Sequence, residues 1–208
     1  DYGTCGYDLT WILDADGVLT ITGSGAMTDY DYRSSTPWYT ADNHGFYVRT
    51  VVIGDGVTSI GKRAFNDFDT ITGVTVGDSV TVIGEYAFAD NYGLTTITLP
   101  DSVERLERRA FSGCSQLTEI TLGVGLTTIG DYAFSNDYKL ETINIPVGVS
   151  SIGNYAFNGC NGLKNVTYTG SDEEWEAISV GNNNEWLKLA VKGYYDYGSC
   201  GDDLTWML

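Results

Sequence analysis

Residues Gly84–Val103 read GEYAFADNYGLTTITLPDSV, and the Ala87-Phe88 pair inside them decides the fold. The same pair stands at Ala64-Phe65, Ala110-Phe111, Ala133-Phe134 and Ala156-Phe157, each 23 residues from the next. A constant interval of that size marks stacked structural units rather than one globular core. Aligned on the pair, a unit begins with Leu94-x-x-Ile97-x-Leu99. The pattern returns as Ile71/Val74/Val76, Leu117/Ile120/Leu122, Leu140/Ile143/Ile145 and Leu163/Val166/Tyr168, and a sixth copy, Val48/Val51/Ile53, precedes the first Ala-Phe. Positions two apart share one face of a strand, so Ile97 and Leu99 point inward and Thr96 and Thr98 outward. A second apolar pair follows (Val57/Ile60, Val80/Ile83, Val103/Leu106, Leu126/Ile129, Val149/Ile152). A glycine after four of these five suits a bend. Ala and Phe then open a short helical turn. It is expected to end at Asp67, Asp90, Gly113, Asn136 or Gly159, residue types that tolerate positive φ.

One unit holds too few inward apolar side chains to offset the ordering of its backbone, so it must share its faces with neighbours. The Phe recurs because each ring lands on the ring below, at the ~4.8 Å spacing of strands. The end units then need covers. Residues 1–45 read as an N-terminal cap: Leu9–Leu13 and Val18–Thr22 alternate across an Asp14-Ala15-Asp16-Gly17 turn, a β-hairpin, and Trp38 is expected to pack over the first strand. Residues 46–171 are the solenoid, about five and a half repeats. Residues 172–195 read as a C-terminal cap. Ser171 with Glu174 three places later makes a capping box, Trp175 and Ile178 face the last repeat, and a polar turn and closing segment follow.

The ends echo one another. DYGTCGYDLTWIL at 1–13 returns as DYGSCGDDLTWML at 196–208, an offset of 195. The expectation is one module followed by the first strand of another, as in a longer array cut at this point. Alternatively, residues 204–208 pair with a neighbouring copy through a strand edge. The chain opens at Asp1 without a start Met, as a mature or trimmed fragment would, with any export signal outside it.

The runs LTTITLPDSV and AFSGCSQL, with VTSIG and LTTIG between strands, resemble the BspA-like leucine-rich-repeat family of bacterial cell-surface proteins. The front CGYDLTWILDADGVLTITGSGAM and the back YTGSDEEWEAI are similar to the flanks of that family's modules. The resemblance implies an α/β repeat solenoid: a leucine-rich-repeat type right-handed superhelix with one parallel β-sheet, an N-terminal β-hairpin cap and a C-terminal helical cap. It also implies an extracellular place, secreted or on the bacterial cell surface. The chain departs from the commoner leucine-rich repeat, which carries Asn or Cys after the strand. Ser79, Ser102, Gly125, Gly148 and Ser171 stand there instead, so an asparagine ladder is not expected.

Composition excludes several functions. The chain has 28 acidic and 11 basic residues, a net charge of −17 and a pI near 4.1. Such a surface repels nucleic acid and anionic membranes, and no apolar run is long enough to span a bilayer. Catalysis has little to build on. His44 is the only histidine and reads as a loop residue. Asp14 and Asp16 could suggest calcium, but a hairpin turn explains both. Glu173 and Glu174 read as helix-start charges rather than a glycosidase pair. Cys114 and Cys160 lie two units apart, ~10 Å by strand spacing, beyond disulfide reach, and read as small buried hydrophobes. No cofactor, metal or catalytic residue is assigned.

Surface remains. The outward strand positions form a stripe of small, nearly uncharged side chains, among them Thr75, Thr96, Thr98, Glu119, Thr121, Thr142 and Asn144. Threonine is also simply a good exposed strand former. Tyr86, Tyr132 and Tyr155, just before the Ala-Phe pairs, form a second candidate ridge, suited to protein or sugar contact or to packing beside the turns. The expected function is a non-enzymatic, adhesin-like interaction module recognising a protein or glycoprotein on a host or microbial surface. A carbohydrate-binding accessory module and a passive surface spacer are the alternatives.

Overall fold

The computed structural model of the chain describes residues 1–39, 48–184 and 186–191. Its fifteen strands are numbered in chain order. At one end β1 (Tyr2–Thr4), β2 (Asp8–Leu13) and β3 (Val18–Ala26) pair antiparallel in succession. Strict alternation in β2 buries Leu9, Trp11 and Leu13 and exposes the residues between them. Asp14 closes the β2–β3 turn: its Oδ1 accepts the N–H of Asp16 at 3.0 Å and of Val18 at 2.9 Å. β3 then bends. Val18–Ile21 pair with the strand at 50–53, and Gly25 and Ala26 with the strand at 57–60. Gly23 sits in the bend at φ 119°, where a Cβ would lie 2.0 Å from Asp8 O, so no other residue fits.

Beyond β3 each coil contributes two short strands. One column holds β4 (Thr50–Ile53), β6 (Gly73–Thr75), β8 (Thr96–Thr98), β10 (Glu119–Thr121), β12 (Thr142–Ile145) and β14 (Asn165–Tyr168). The other holds β5 (Val57–Ile60), β7 (Val82–Ile83), β9 (Arg105–Leu106), β11 (Thr128–Ile129), β13 (Ser151–Ile152) and β15 (Ser179–Val180). Pairing within each column is parallel, as in Thr96↔Glu119 and Val82↔Arg105. The expected single parallel sheet is thus corrected to two strand columns. The second apolar pair does more than bend the chain. Its backbone has no partner within its own coil, so its N–H and C=O groups bond to the coils above and below.

The helical turn at Ala-Phe is corrected as well. Single i→i+3 bonds occur there, such as Ala87 N–H to Gly84 O at 3.1 Å, but alternate N–H groups leave the coil altogether. Tyr86 donates to Arg108 O at 3.0 Å, Phe88 to Ala110 O at 2.8 Å and Asp90 to Ser112 O at 2.8 Å. Two left-handed residues per corner, Tyr86 at φ 57° and Asp90 at φ 60° in this coil, interrupt the dihedral run a helix needs. The second of them is the stop expected from sequence: Asp67, Asp90, Gly113, Asn136 and Gly159 all have positive φ. Among the described residues the α-helices are α1 (Asp172–Ala177), between β14 and β15, and α2 (Trp186–Val191), after β15. The fold is therefore a β-solenoid of about five turns rather than α/β.

The core is the column of rings. Phe65, Phe88, Phe111, Phe134 and Phe157 are fully buried, with successive centroids 5.1, 5.3, 5.8 and 5.2 Å apart and planes within 18°. Trp38 extends the column downward, stacked 5.3 Å from Phe65. Its indole N–H donates to Ala64 O at 3.0 Å. In the coils above, the equivalent carbonyl takes a Phe backbone N–H, as when Phe65 donates to Ala87 O at 2.8 Å. Trp38 therefore supplies both the ring and the donor of the coil that is missing below. At the other end Ser171 and Glu174 exchange bonds of 3.2 and 2.8 Å, and Trp175, Ile178, Leu187 and Ala190 are buried.

Candidate interaction surface

Side chains of the β4–β14 column alternate, because successive residues of a strand point to opposite faces. Ile97, Ile120, Ile143 and Val166 are buried, and Thr75, Thr96, Thr98, Glu119, Thr121, Thr142 and Asn144 are exposed. Parallel register sets them in rows: Thr96 beside Glu119 beside Thr142, and Thr98 beside Thr121. Thr167 hydroxyl donates to Asn144 Oδ1 at 3.1 Å, extending the second row. All seven strand residues singled out in the sequence thus share one open face.

That face is not uniform. Three residue pairs join β4 to β6 and β8 to β10, and four join β12 to β14. Between β10 and β12 only Glu119↔Thr142 is in register, and β6 and β8 run side by side in separate sheets. Two depressions indent the face, each taking in one loose seam and a further strand. The larger, over β4, β6 and β8, has a volume of about 500 Å³ and is lined by Thr50, Thr75, Thr96, Thr98 and Asp78 over Val74 and Ile97. The smaller, over β10, β12 and β14, has a volume of about 250 Å³ and is lined by Glu119, Thr121, Thr142, Asn144, Asn165 and Thr167. Gly73 sits in the wall of the larger one where other coils carry a side chain. Gly73 is one of the outward strand positions legible in the sequence, and its missing side chain is the signal for the wider depression there.

The tyrosine ridge lies at the corner that carries the Ala-Phe pairs, and its rings are largely engaged with the protein itself. Tyr86, Tyr132 and Tyr155 are half-buried, and each has a positive φ between 55° and 57°. Arg63 and Arg109 occupy the same place in their coils, at φ 53° and 57°. Arg63 lies 4.7 Å from the Tyr86 ring, Arg109 4.9 Å from the Tyr132 ring, and Tyr132 stacks on Tyr155 at 5.0 Å. Cation and ring therefore alternate over the first four coils, with a second ring on the fifth, and the two arginines are legible as the residues directly before Ala-Phe. Beside them Glu85 pairs with Lys62 at 3.1 Å and Arg108 at 3.3 Å. Partial burial works to raise the Glu85 carboxyl, but hydrogen bonds from those two cations outweigh it and hold it below its ordinary value. Tyr92 and Tyr138 project to solvent.

Cys5, Cys114 and Cys160 are free and buried. Burial pushes the Cys5 thiol up to about 11, so it stays protonated. Cys114 and Cys160 are more than small hydrophobes: their S–H groups donate to Phe88 O at 3.1 Å and Phe134 O at 3.0 Å. Asn91 makes similar bonds from the same column, so asparagine does bond from coil to coil here, at a place other than the one it takes in the commoner repeat. Among the described residues no group of three His, Cys, Asp or Glu is arranged to hold a metal ion, and no helix is long and apolar enough to cross a membrane. His44 and the echo at 196–208, including the strand edge proposed at 204–208, lie outside the described residues.

Six consecutive copies of the BspA type leucine-rich repeat region match the chain over residues 43–172. Among solved structures, the chain is similar to a leucine-rich repeat protein of T. pallidum, at 22% identity and TM-score 0.57 over 92% of this chain and 95% of that one. A leucine-rich cell surface protein from Faecalibacterium prausnitzii is 26% identical, with TM-score 0.54, over 83% of this chain and 56% of that one. No curated protein matches the chain.

Proposed function

The chain belongs to the BspA-type leucine-rich-repeat family, and on that premise we propose that it is an extracellular, adhesin-like interaction module. It displays the β4–β14 face to a protein or glycoprotein on a host or microbial surface, and it carries no catalytic step. The observation that carries this reading is the division of labour between the two candidate surfaces. The tyrosines of the ridge stack on the protein's own arginines and on each other. The strand face is open, nearly uncharged and indented at two seams lined by Thr75, Thr96, Thr98, Glu119, Thr121, Thr142 and Asn144. Rows of short side chains have few rotamers to lose on docking, which keeps that part of the entropic cost of association low. The cell-surface description of the F. prausnitzii neighbour supports an extracellular place, and the net charge of −17 disfavours nucleic acid as a partner.

Binding of the labelled protein to fixed epithelial cells, to fixed bacterial cells and to a glycan array tests this. The combined Thr98→Arg and Thr142→Arg variant should lose about tenfold or more of the cell binding, while Tyr86→Ala with Tyr132→Ala keeps most of it. Equal binding by the wild type and the strand-face variant would remove the face from the account. Loss confined to the tyrosine variant would move the site to the ridge. Hits on glycans alone would favour the carbohydrate-binding alternative.

A further inference from the structure

The residue three places after each stacked Phe is buried in all five coils: Phe68, Asn91, Cys114, Asp137 and Cys160. The polar members of this column share one task. Asn91 Nδ2 donates to Phe65 O and to Phe88 O, each at 2.9 Å, and its Oδ1 accepts Phe68 N–H at 3.1 Å. Cys114 and Cys160 donate to Phe88 O and Phe134 O, the carbonyls 26 residues before them. For Asp137 the carbonyl at that distance is Phe111 O. Asp137 is wholly enclosed, and neither of its carboxyl oxygens has a hydrogen-bond partner. The N–H groups of Gly113 and Cys114 bear on it, but they already donate to Ser135 O at 2.8 Å and Phe111 O at 3.2 Å. A bare carboxylate here would set a negative oxygen against the carbonyls that Asn91 and both thiols meet with a hydrogen. A neutral acid has the shape of the Asn91 amide and one hydrogen to give.

We propose that Asp137 is the neutral carboxylic acid in the folded protein, donating to Phe111 O, and that it makes the third-to-fourth coil junction a pH-responsive joint, tight in acid and loosened as alkali removes the proton. The surroundings agree. Burial first of all pushes the Asp137 carboxyl well above its ordinary range, the Asp90 carboxylate adds to this, and the Cys114 and Gly113 backbone groups oppose it. From the coil before, the Cys114 thiol faces it; burial, with Asp137 adding, pushes that thiol well up too, so it stays neutral. The thiol of Cys160 occupies the same place in the coil after.

The sign follows from linkage. An unfolded Asp ionises near pH 3.9, and in the folded chain Asp137 ionises at higher pH. Between the two the folded state holds the extra proton. Stability is therefore lost as pH rises through that window, by up to about tenfold in the unfolding constant per pH unit. Other groups also titrate, so the comparison is with variants that cannot. Asp137→Asn copies Asn91, and Asp137→Cys copies the native neighbours in the column. Urea unfolding from about pH 4 to about pH 8 should show both variants gaining on the wild type as pH rises, approaching that tenfold step per unit. Parallel pH profiles for the wild type and both variants would overturn the proposal. A readout independent of variant folding is the carboxyl carbon resonances of the wild type labelled at aspartate. One aspartate should keep its protonated shift at neutral pH; titration of every aspartate in the ordinary carboxylate range would overturn it equally.

Discussion

The phenylalanine column and the arginine–tyrosine column stand two residues apart in every coil and climb the molecule in the same register, yet one holds a single residue type and the other mixes two. The inner places are closed on all sides, and only the Phe ring recurs there. A charge in that position would lose its water with nothing to replace it. The outer places are only half-buried, so a guanidinium can sit over a tyrosine ring without giving up all of its water. The repeated backbone fixes where a side chain goes, and burial decides how narrowly its identity is specified. The column at Asn91, Cys114, Asp137 and Cys160 is the intermediate case. Its members are buried yet polar, and Asn91, Cys114 and Cys160 each bring a hydrogen to the carbonyl of an earlier coil, while the first coil fills the place with Phe68.

This comparison can be broken most severely from the inside. Phe111→Ala, in the middle of the column, should cost about 3–5 kcal/mol in urea unfolding, because the rings above and below cannot close a gap set by rigid strand spacing. A cost below about 1 kcal/mol would mean that the ring is not held between its neighbours. On the outer column Tyr132→Ala removes one stack on Tyr155 and the cation contacts with Arg108 and Arg109, for about 0.5–1.5 kcal/mol. If the outer loss equalled the inner one, the distinction by burial would be lost.

Much of this was readable in the sequence, and the reasons for the remainder are specific. The 23-residue interval, the inward Phe, the outward Thr stripe and the left-handed residue after each Phe all rest on residue types with narrow physical uses. The second strand column did not show as a strand. β7, β9, β11 and β13 are two residues long, too short to alternate, and their apolar partners stand three apart, as Val80 and Ile83 do. The corner reads as helical in sequence because nothing in Tyr86 or Arg109 announces a positive φ; the neighbouring coils draw alternate N–H groups outward there. The loosened seams of the strand face depend on pairing between coils, which no single repeat encodes. The face itself was legible, and the places where it is indented were not.

The coils hold one another through adjacent rings, and a pair of double-mutant cycles in equilibrium unfolding tests this directly. Phe111→Ala with Phe134→Ala, whose rings are 5.8 Å apart, should couple by about 0.5–1.5 kcal/mol. Phe65→Ala with Phe157→Ala, separated by three intervening rings, should be additive within about 0.5 kcal/mol. Additivity in the adjacent pair, or equal coupling in both, would contradict it.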